Sequence, residues 1–239
     1  MKILLVGNSQ MGCYNLPRIL RVMSASAPKG YPRLKIGEAI FGGATLKTHW
    51  EKGEGEGTPR AMISKGKWDC VVIQEIYCVH NPGFRHEFEK YATLLDGAIR
   101  KSGAKTILFA TANITQYYKP DYKSYRYPDS FKKLNDMQLR FGKKHGINVA
   151  AAGYAWMKYL GKNPSKKKLM DLYHSDKGHP GGKGTYLYAC LLYAILTGRS
   201  PAGLAREFSG IRGGFSIPEK EASRMQQVAW SQYLENTCK

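Results

Sequence analysis

The chain reads as an α/β protein built on a five-stranded parallel sheet with helices on both faces. Three observations point there. Short apolar runs alternate with longer stretches of helical spacing along the whole chain. Two of the runs, Ile3-Leu4-Leu5-Val6 and Cys70-Val71-Val72-Ile73, are apolar at every position, as strands buried on both faces are. Small or polar residues follow the runs, where the loops at the carboxyl edge of such a sheet would lie.

Each element has its own warrant. Residues 3–6 form the first strand. Residues 11–26 follow with helical spacing, carrying Leu16, Ile19, Leu20 and Met23 on one face. Residues 34–41 alternate and read as the second strand, and the Gly- and Glu-rich stretch 52–59 as a loop. Residues 61–65 make a short helix at best. Residues 70–74 are the third strand and 84–101 a strongly amphipathic helix. Residues 106–111 are the fourth strand. Residues 129–145 form a helix marked by Leu134, Met137, Leu139 and Phe141, and 147–150 the fifth strand. An apolar helix over 185–197 and an amphipathic one over 218–236 complete the chain. Right-handed crossovers leave few ways to order these strands. Ser9, Gly42-Gly43, Gln74 and Thr111 to Asn113 all fall just after predicted strands, so they converge on one edge of the sheet. No repeat, low-complexity tract or linker divides the chain, and a single domain over residues 1–239 is expected.

Composition narrows the class. The 239 residues are 43% hydrophobic, ordinary for a globular protein with a sizeable core. No run reaches the roughly 18 apolar residues of a membrane span, and the chain opens on a strand rather than a signal peptide, so a cytoplasmic location is expected. The five cysteines, Cys13, Cys70, Cys78, Cys190 and Cys238, are scattered, without C-x-x-C or zinc spacing, and reduced thiols are expected. The 37 basic against 18 acidic residues give a net charge of +19. Basic residues cluster at 119–126, Lys132-Lys133, 140–145 and 162–168, and Tyr117, Tyr118, Tyr122, Tyr125 and Tyr127 interleave with the first cluster. Such a surface is either simply solvated or a field for an anionic polymer, with tyrosines to stack on sugars or bases.

Two motifs carry chemistry. Gly7-Asn8-Ser9 follows the first strand, and Asp176-Lys177-Gly178-His179-Pro180 lies three-quarters of the way along. A serine that attacks, a histidine that takes and returns its proton, and an aspartate that orients the histidine are the parts of a hydrolytic triad. Each has a plainer reading. Ser9 is a good helix cap, His179 has a neighbour in His174, and Gln74 could be a structural amide. Glu75 could be an acid/base group or an ion-pair partner, and His49-Trp50 could line the pocket or pack on the sheet rim. Cys13 is an alternative nucleophile without a paired histidine of matching context.

With these residues in view, the chain resembles the SGNH (GDSL-type) hydrolases, in particular a bacterial subgroup of uncharacterised members with Gln in the third block. The resemblance rests on Gly7-Asn8-Ser9, on Gly42-Gly43-Ala44-Thr45-Leu46, on residues 66–75 ending in Gln74-Glu75, and on Asp176 to Pro180 with the helix after it. It covers most of the chain in the family's order. It implies a three-layer αβα flavodoxin-like fold and metal-independent ester hydrolysis without a cofactor. It also implies a triad of Ser9, His179 and Asp176, and an oxyanion hole from the Ser9 and Gly43 N–H groups and the Gln74 amide. Two positions depart from the family: Asn8 replaces the usual Asp of G-D-S, and Gln74 the usual Asn. Asn8, His49 and Asn113 are expected to line the substrate site. The expected substrate is an acylated carbohydrate or small-molecule ester. The competing reading is a catalytically silent protein on the same fold that holds an anionic polymer on its basic face. A third is nucleotide binding on a flavodoxin-like sheet. Gly178 to Thr185 lacks one residue of the phosphate-loop pattern. The stretch from His86 has Lys90 where a zinc-protease helix needs its second histidine, and no G-x-S-x-G elbow occurs.

Overall fold

Strand β1 (Lys2–Gly7) is central because its middle is apolar on both sides: Ile3, Leu4, Leu5 and Val6 have no exposure at all. In this computed structural model, which describes residues 1–75, 82–112 and 127–237, β1 pairs with β2 (Lys35–Ile40) on one side and β3 (Cys70–Ile73) on the other. β4 (Lys105–Ala110) and β5 (Asn148–Ala151) follow, giving the parallel order β2-β1-β3-β4-β5. The chain therefore reverses direction across the sheet between β1 and β3, and the carboxyl ends of these two strands flank a switch point.

Alternation along the strands builds two cores. Ile3, Leu5, Val72 and Phe109 meet α2 (Leu16–Ser26), α7 (Ala152–Leu160), α9 (Gly182–Thr197) and α10 (Glu219–Thr237). Leu4, Val6, Val71 and Leu108 meet α3 (Leu46–Glu51), α4 (Pro59–Lys65) and α5 (Pro82–Lys101). Helix α6 (Asp129–His145) sends Phe131 into the first core and Phe141 into the second. The result is the three-layer αβα fold expected. Among the described residues, no helix is long and apolar enough to cross a membrane.

Several boundaries differ from the sequence reading. The helix expected over 11–26 is two: α1 (Ser9–Gly12) and α2. Asn15 breaks it with a left-handed φ of 48° and caps α2 through Arg18 N–H, and Pro17 has no N–H to continue the first helix. Helix α3, absent from the sequence reading, is set by a capping box between Thr45 and Thr48. Helices α7 and α8 (Lys166–Met170), and the hairpin β6 (Glu207–Phe208) and β7 (Phe215–Ser216), were not expected either.

A buried polar network ties the ends of β1, β2 and β3 together. Asn8, fully buried, accepts from Gln10 N–H at 3.0 Å and donates from Nδ2 to the Ala44 carbonyl at 2.9 Å. Its own N–H donates to Gln74 Oε1 at 3.0 Å, and Gln74 Nε2 donates to the Glu75 carbonyl. Gly7 is required beneath this amide, because a Cβ there would lie 2.8 Å from Gln74 Oε1. The buried Glu75 carboxylate accepts from Leu46 N–H, at 3.2 Å to its nearer oxygen, at the start of α3. His49 donates from Nε2 to the Gly7 carbonyl at 3.0 Å, since a carbonyl only accepts. Its Nδ1 has no partner among the described residues.

Two predictions follow from this network. Asn8→Asp removes the donor to Ala44 and sets a buried carboxylate against a carbonyl. It should lose about 3 kcal/mol in urea unfolding at neutral pH; an unchanged midpoint would show that the Asn8–Ala44 bond does not hold this edge. The second concerns His49. Burial lowers its pKa to about 4, against the Gly7 carbonyl and with help from Lys52. The unfolded chain takes up this proton near pH 6.5 and the folded chain does not, so stability should fall by up to ~3 kcal/mol as pH drops from about 6.5 to about 4. His49→Gln keeps a donor for Gly7 and cannot titrate. Unfolding curves at pH 7 and pH 4.5 should show the drop shrinking in that variant.

Candidate active site

Ser9 opens α1 directly beyond β1, half-buried at the carboxyl edge of the sheet. Its orientation comes from the turn before it, where Asn8 is held in extended backbone by the network above. The partner loop arrives from between α8 and α9. It is closed on itself by His174 N–H to the His179 carbonyl at 2.8 Å and Lys177 N–H to the His174 carbonyl at 2.8 Å. Lys177 turns the loop with a left-handed φ of 56°. Gln10 Nε2 reaches the Gly178 carbonyl at 3.4 Å and joins the two segments.

The loop sets His179 between Ser9 and Asp176. His179 Nε2 lies 2.8 Å from Ser9 Oγ, and Nδ1 lies 2.8 Å from Asp176 Oδ2. The carboxylate is acceptor-only, so Nδ1 carries the hydrogen and Nε2 accepts from the Ser9 hydroxyl. Asp176 Oδ1 accepts from Gly178 N–H at 2.9 Å and His179 N–H at 3.0 Å. Burial alone would push the Asp176 carboxyl up. The two backbone N–H bonds and the two histidines outweigh it and hold the carboxyl well below the usual carboxylate range. Asp176 is therefore ionised wherever His179 is a useful base.

The N–H groups of Ser9 and Gly43 take no hydrogen bond among the described residues. The first is the orphan donor at a helix start. The second belongs to an exposed glycine with a left-handed φ of 68° in the turn before α3, a conformation that favours glycine.

The remaining expected site residues are elsewhere. Asn8 and His49 were expected to line the pocket. Both are fully buried and hydrogen-bonded under it, so they brace its floor. Gln74, expected to offer an open amide, is also fully buried, with Oε1 on Asn8 and Nε2 on Glu75; it holds the nucleophile turn from below. Glu75, read from sequence as an acid/base group or an ion-pair partner, accepts from Leu46 N–H at the start of α3. Asn113 and the tyrosine-rich stretch up to Arg126 lie outside the described residues. Cys13 sits one turn beyond Ser9, its thiol raised by burial despite Arg212 and so a weak nucleophile. His174, the alternative base, faces Asp176 Oδ2 at 3.1 Å. Sequence spacing missed Arg212, which reaches Cys13 and His174 from the β6–β7 hairpin.

No family model matches the chain, and no curated protein matches it. Solved structures do. A DUF4886 family protein from Bacteroides uniformis ATCC 8492 superposes with a TM-score of 0.74 at 18% identity, over 98% of this chain and 95% of that one. A lipase/acylhydrolase from Enterococcus faecalis gives 0.59 at 20% identity, over 87% and 99%. An acetyl xylan esterase, AlAXEase, gives 0.56 at 14% identity, over 82% and 100%. Others carry the SGNH or G-D-S-L family label. The fold of this chain is that of the SGNH (GDSL-type) hydrolases.

Proposed function

We propose that the chain is a serine esterase with Ser9 as nucleophile, His179 as general base and acid, and Asp176 as the residue that orients His179. The observation that carries this reading is the unbroken chain from Ser9 Oγ through His179 to Asp176, with both links at 2.8 Å. Ser9 Oγ attacks the ester carbonyl while its proton passes to His179 Nε2, and the imidazolium keeps its Nδ1–H on Asp176. The carbonyl oxygen becomes an oxyanion, for which the unbonded N–H groups of Ser9 and Gly43 are the donors. Collapse expels the alcohol, which takes the proton from Nε2. Water then attacks the acyl-serine by the same route, releasing the acid and restoring the serine. Gln74 and Asn8 act here through the turn they hold rather than by touching substrate.

An acylated carbohydrate is the substrate class proposed. The fold is shared with an acetyl xylan esterase, and short acyl groups suit a nucleophile on an open edge of the sheet. Exposed Lys132, Lys133, Lys162, Lys166 and Lys167 add to a net positive field that favours an anionic polymer as the alcohol part.

Acetyl to octanoyl nitrophenyl esters, then acetylated neutral and acidic oligosaccharides, test the reading. Activity should be highest on acetyl esters, with acetylated sugars turned over; a preference for octanoyl esters would point to lipid. Ser9→Ala and His179→Ala should each lower kcat by roughly 10⁴–10⁶, and Asp176→Asn by about 10⁴ through the wrong histidine tautomer. Turnover retained in a folded Ser9→Ala variant would contradict the nucleophile. Because the Asp176 carboxyl is held well below the usual carboxylate range, its protonation should add no step to the acid limb of kcat/KM. A carboxylate step in the ordinary range on that limb would contradict this.

A further inference from the structure

Asp176 receives a second imidazole. Arg212, at a left-handed φ of 46° in the β6–β7 hairpin, donates from Nε to the Cys13 carbonyl at 2.7 Å and from Nη2 to Cys13 Sγ at 3.3 Å. Its Nη1 lies 3.2 Å from His174 Nε2, and its guanidinium sits 5.3 Å from the centre of the Tyr14 ring. A guanidinium has only donors, so His174 Nε2 accepts, and a neutral His174 then carries its hydrogen on Nδ1. That nitrogen faces Asp176 Oδ2 at 3.1 Å. Asp176 N–H also approaches it, at 3.4 Å, but a protonated Nδ1 cannot accept, and the shorter bond to a charged oxygen prevails.

The bonding of the carboxylate is then complete. Oδ1 takes two backbone N–H groups, and Oδ2 takes the Nδ1–H of both His179 and His174. A carboxylate has about four lone-pair sites, so each is filled and rotation of the group would break bonds at both oxygens. Cys13, His174 and Asp176 have ligand-type atoms within 4.8 Å of one another, a set that attracts a cation. The cation that the structure holds against them is the Arg212 guanidinium.

We infer that His174, fixed in its tautomer by Arg212, is a positioning residue for the triad: it locks Asp176 against His179 and draws part of the Oδ2 charge away from the His179 imidazolium. The inference rests on the esterase reading above. The groups facing this pair are Cys13 and Tyr14 after α1, Arg212 on the hairpin, and the Asp171–Lys183 ion pair lining the same cleft as His174. None of these but Arg212 offers Nε2 a donor among the described residues.

The test compares His174→Ala, His174→Asn and Arg212→Ala with the parent in kcat, in the pH profile of kcat/KM, and in the titration of the His179 ring followed by NMR. Losing one hydrogen bond to a charged group should lower kcat about tenfold in His174→Ala. With Oδ2 left to His179 alone, the acid limb and the ring titration should both move to higher pH. Asn, whose amide can donate from near the Nδ1 position, should restore most of both, and Arg212→Ala should follow His174→Ala in direction. Unchanged kcat and an unmoved titration in His174→Ala would overturn the inference, as would an Asn variant no better than Ala. If the parent hydrolyses no ester, the esterase reading fails, while the NMR titration still decides the coupling of His174 to His179.

Discussion

The carboxyl edge of this sheet depends on the side chain of Asn8. With one amide it caps the helix that starts at Ser9, and with the other end it holds the turn that carries Gly43. Its backbone N–H is taken by Gln74 from the next strand. A single residue thereby fixes the nucleophile turn to both neighbouring strands, in a region where water cannot substitute for a missing bond. An aspartate could do the capping but not the donation to Ala44. The amide at position 8 donates to Ala44, and the longer amide at position 74 reaches back to accept from the Asn8 backbone N–H.

The same logic of saturation governs the triad. The loop from His174 to His179 is closed by its own backbone bonds before any side chain is considered, and the Asp176 carboxylate accepts two backbone N–H groups on Oδ1 while Oδ2 faces both imidazoles. A base that must hand its proton over and take it back gains from an orienting group that cannot swing away. Ser9, half-buried, stands between these two supports.

Much of this was legible in the sequence. Strands β1 and β3 announced themselves because every residue is apolar, which only a doubly covered strand tolerates. Ser9, Asp176 and His179 stood out by their residue types and spacing, although the serine and histidine are 170 positions apart. Helix α7 did not stand out, because it runs on from β5 without a breaker and is apolar on most sides, so no period separates it from the strand. The break at Asn15 was hidden inside a good helical pattern. The roles of Gln74 and His49 could not be read at all. An amide or imidazole after a strand looks the same whether it faces solvent or lies beneath the site, and only burial distinguishes them. Arg212 was invisible for a related reason: its partner His174 lies 38 positions away, and Arg212 itself sits between strands of two residues each, too short to predict.

The central claim is that Ser9 is activated by His179. Incubation with a fluorophosphonate followed by intact-mass and peptide analysis tests it without knowledge of the substrate. The account predicts a single adduct on the peptide bearing Ser9, lost in Ser9→Ala and strongly slowed in His179→Ala, with Cys13 unmodified. An unlabelled parent, or a label that forms equally fast without His179, would contradict it.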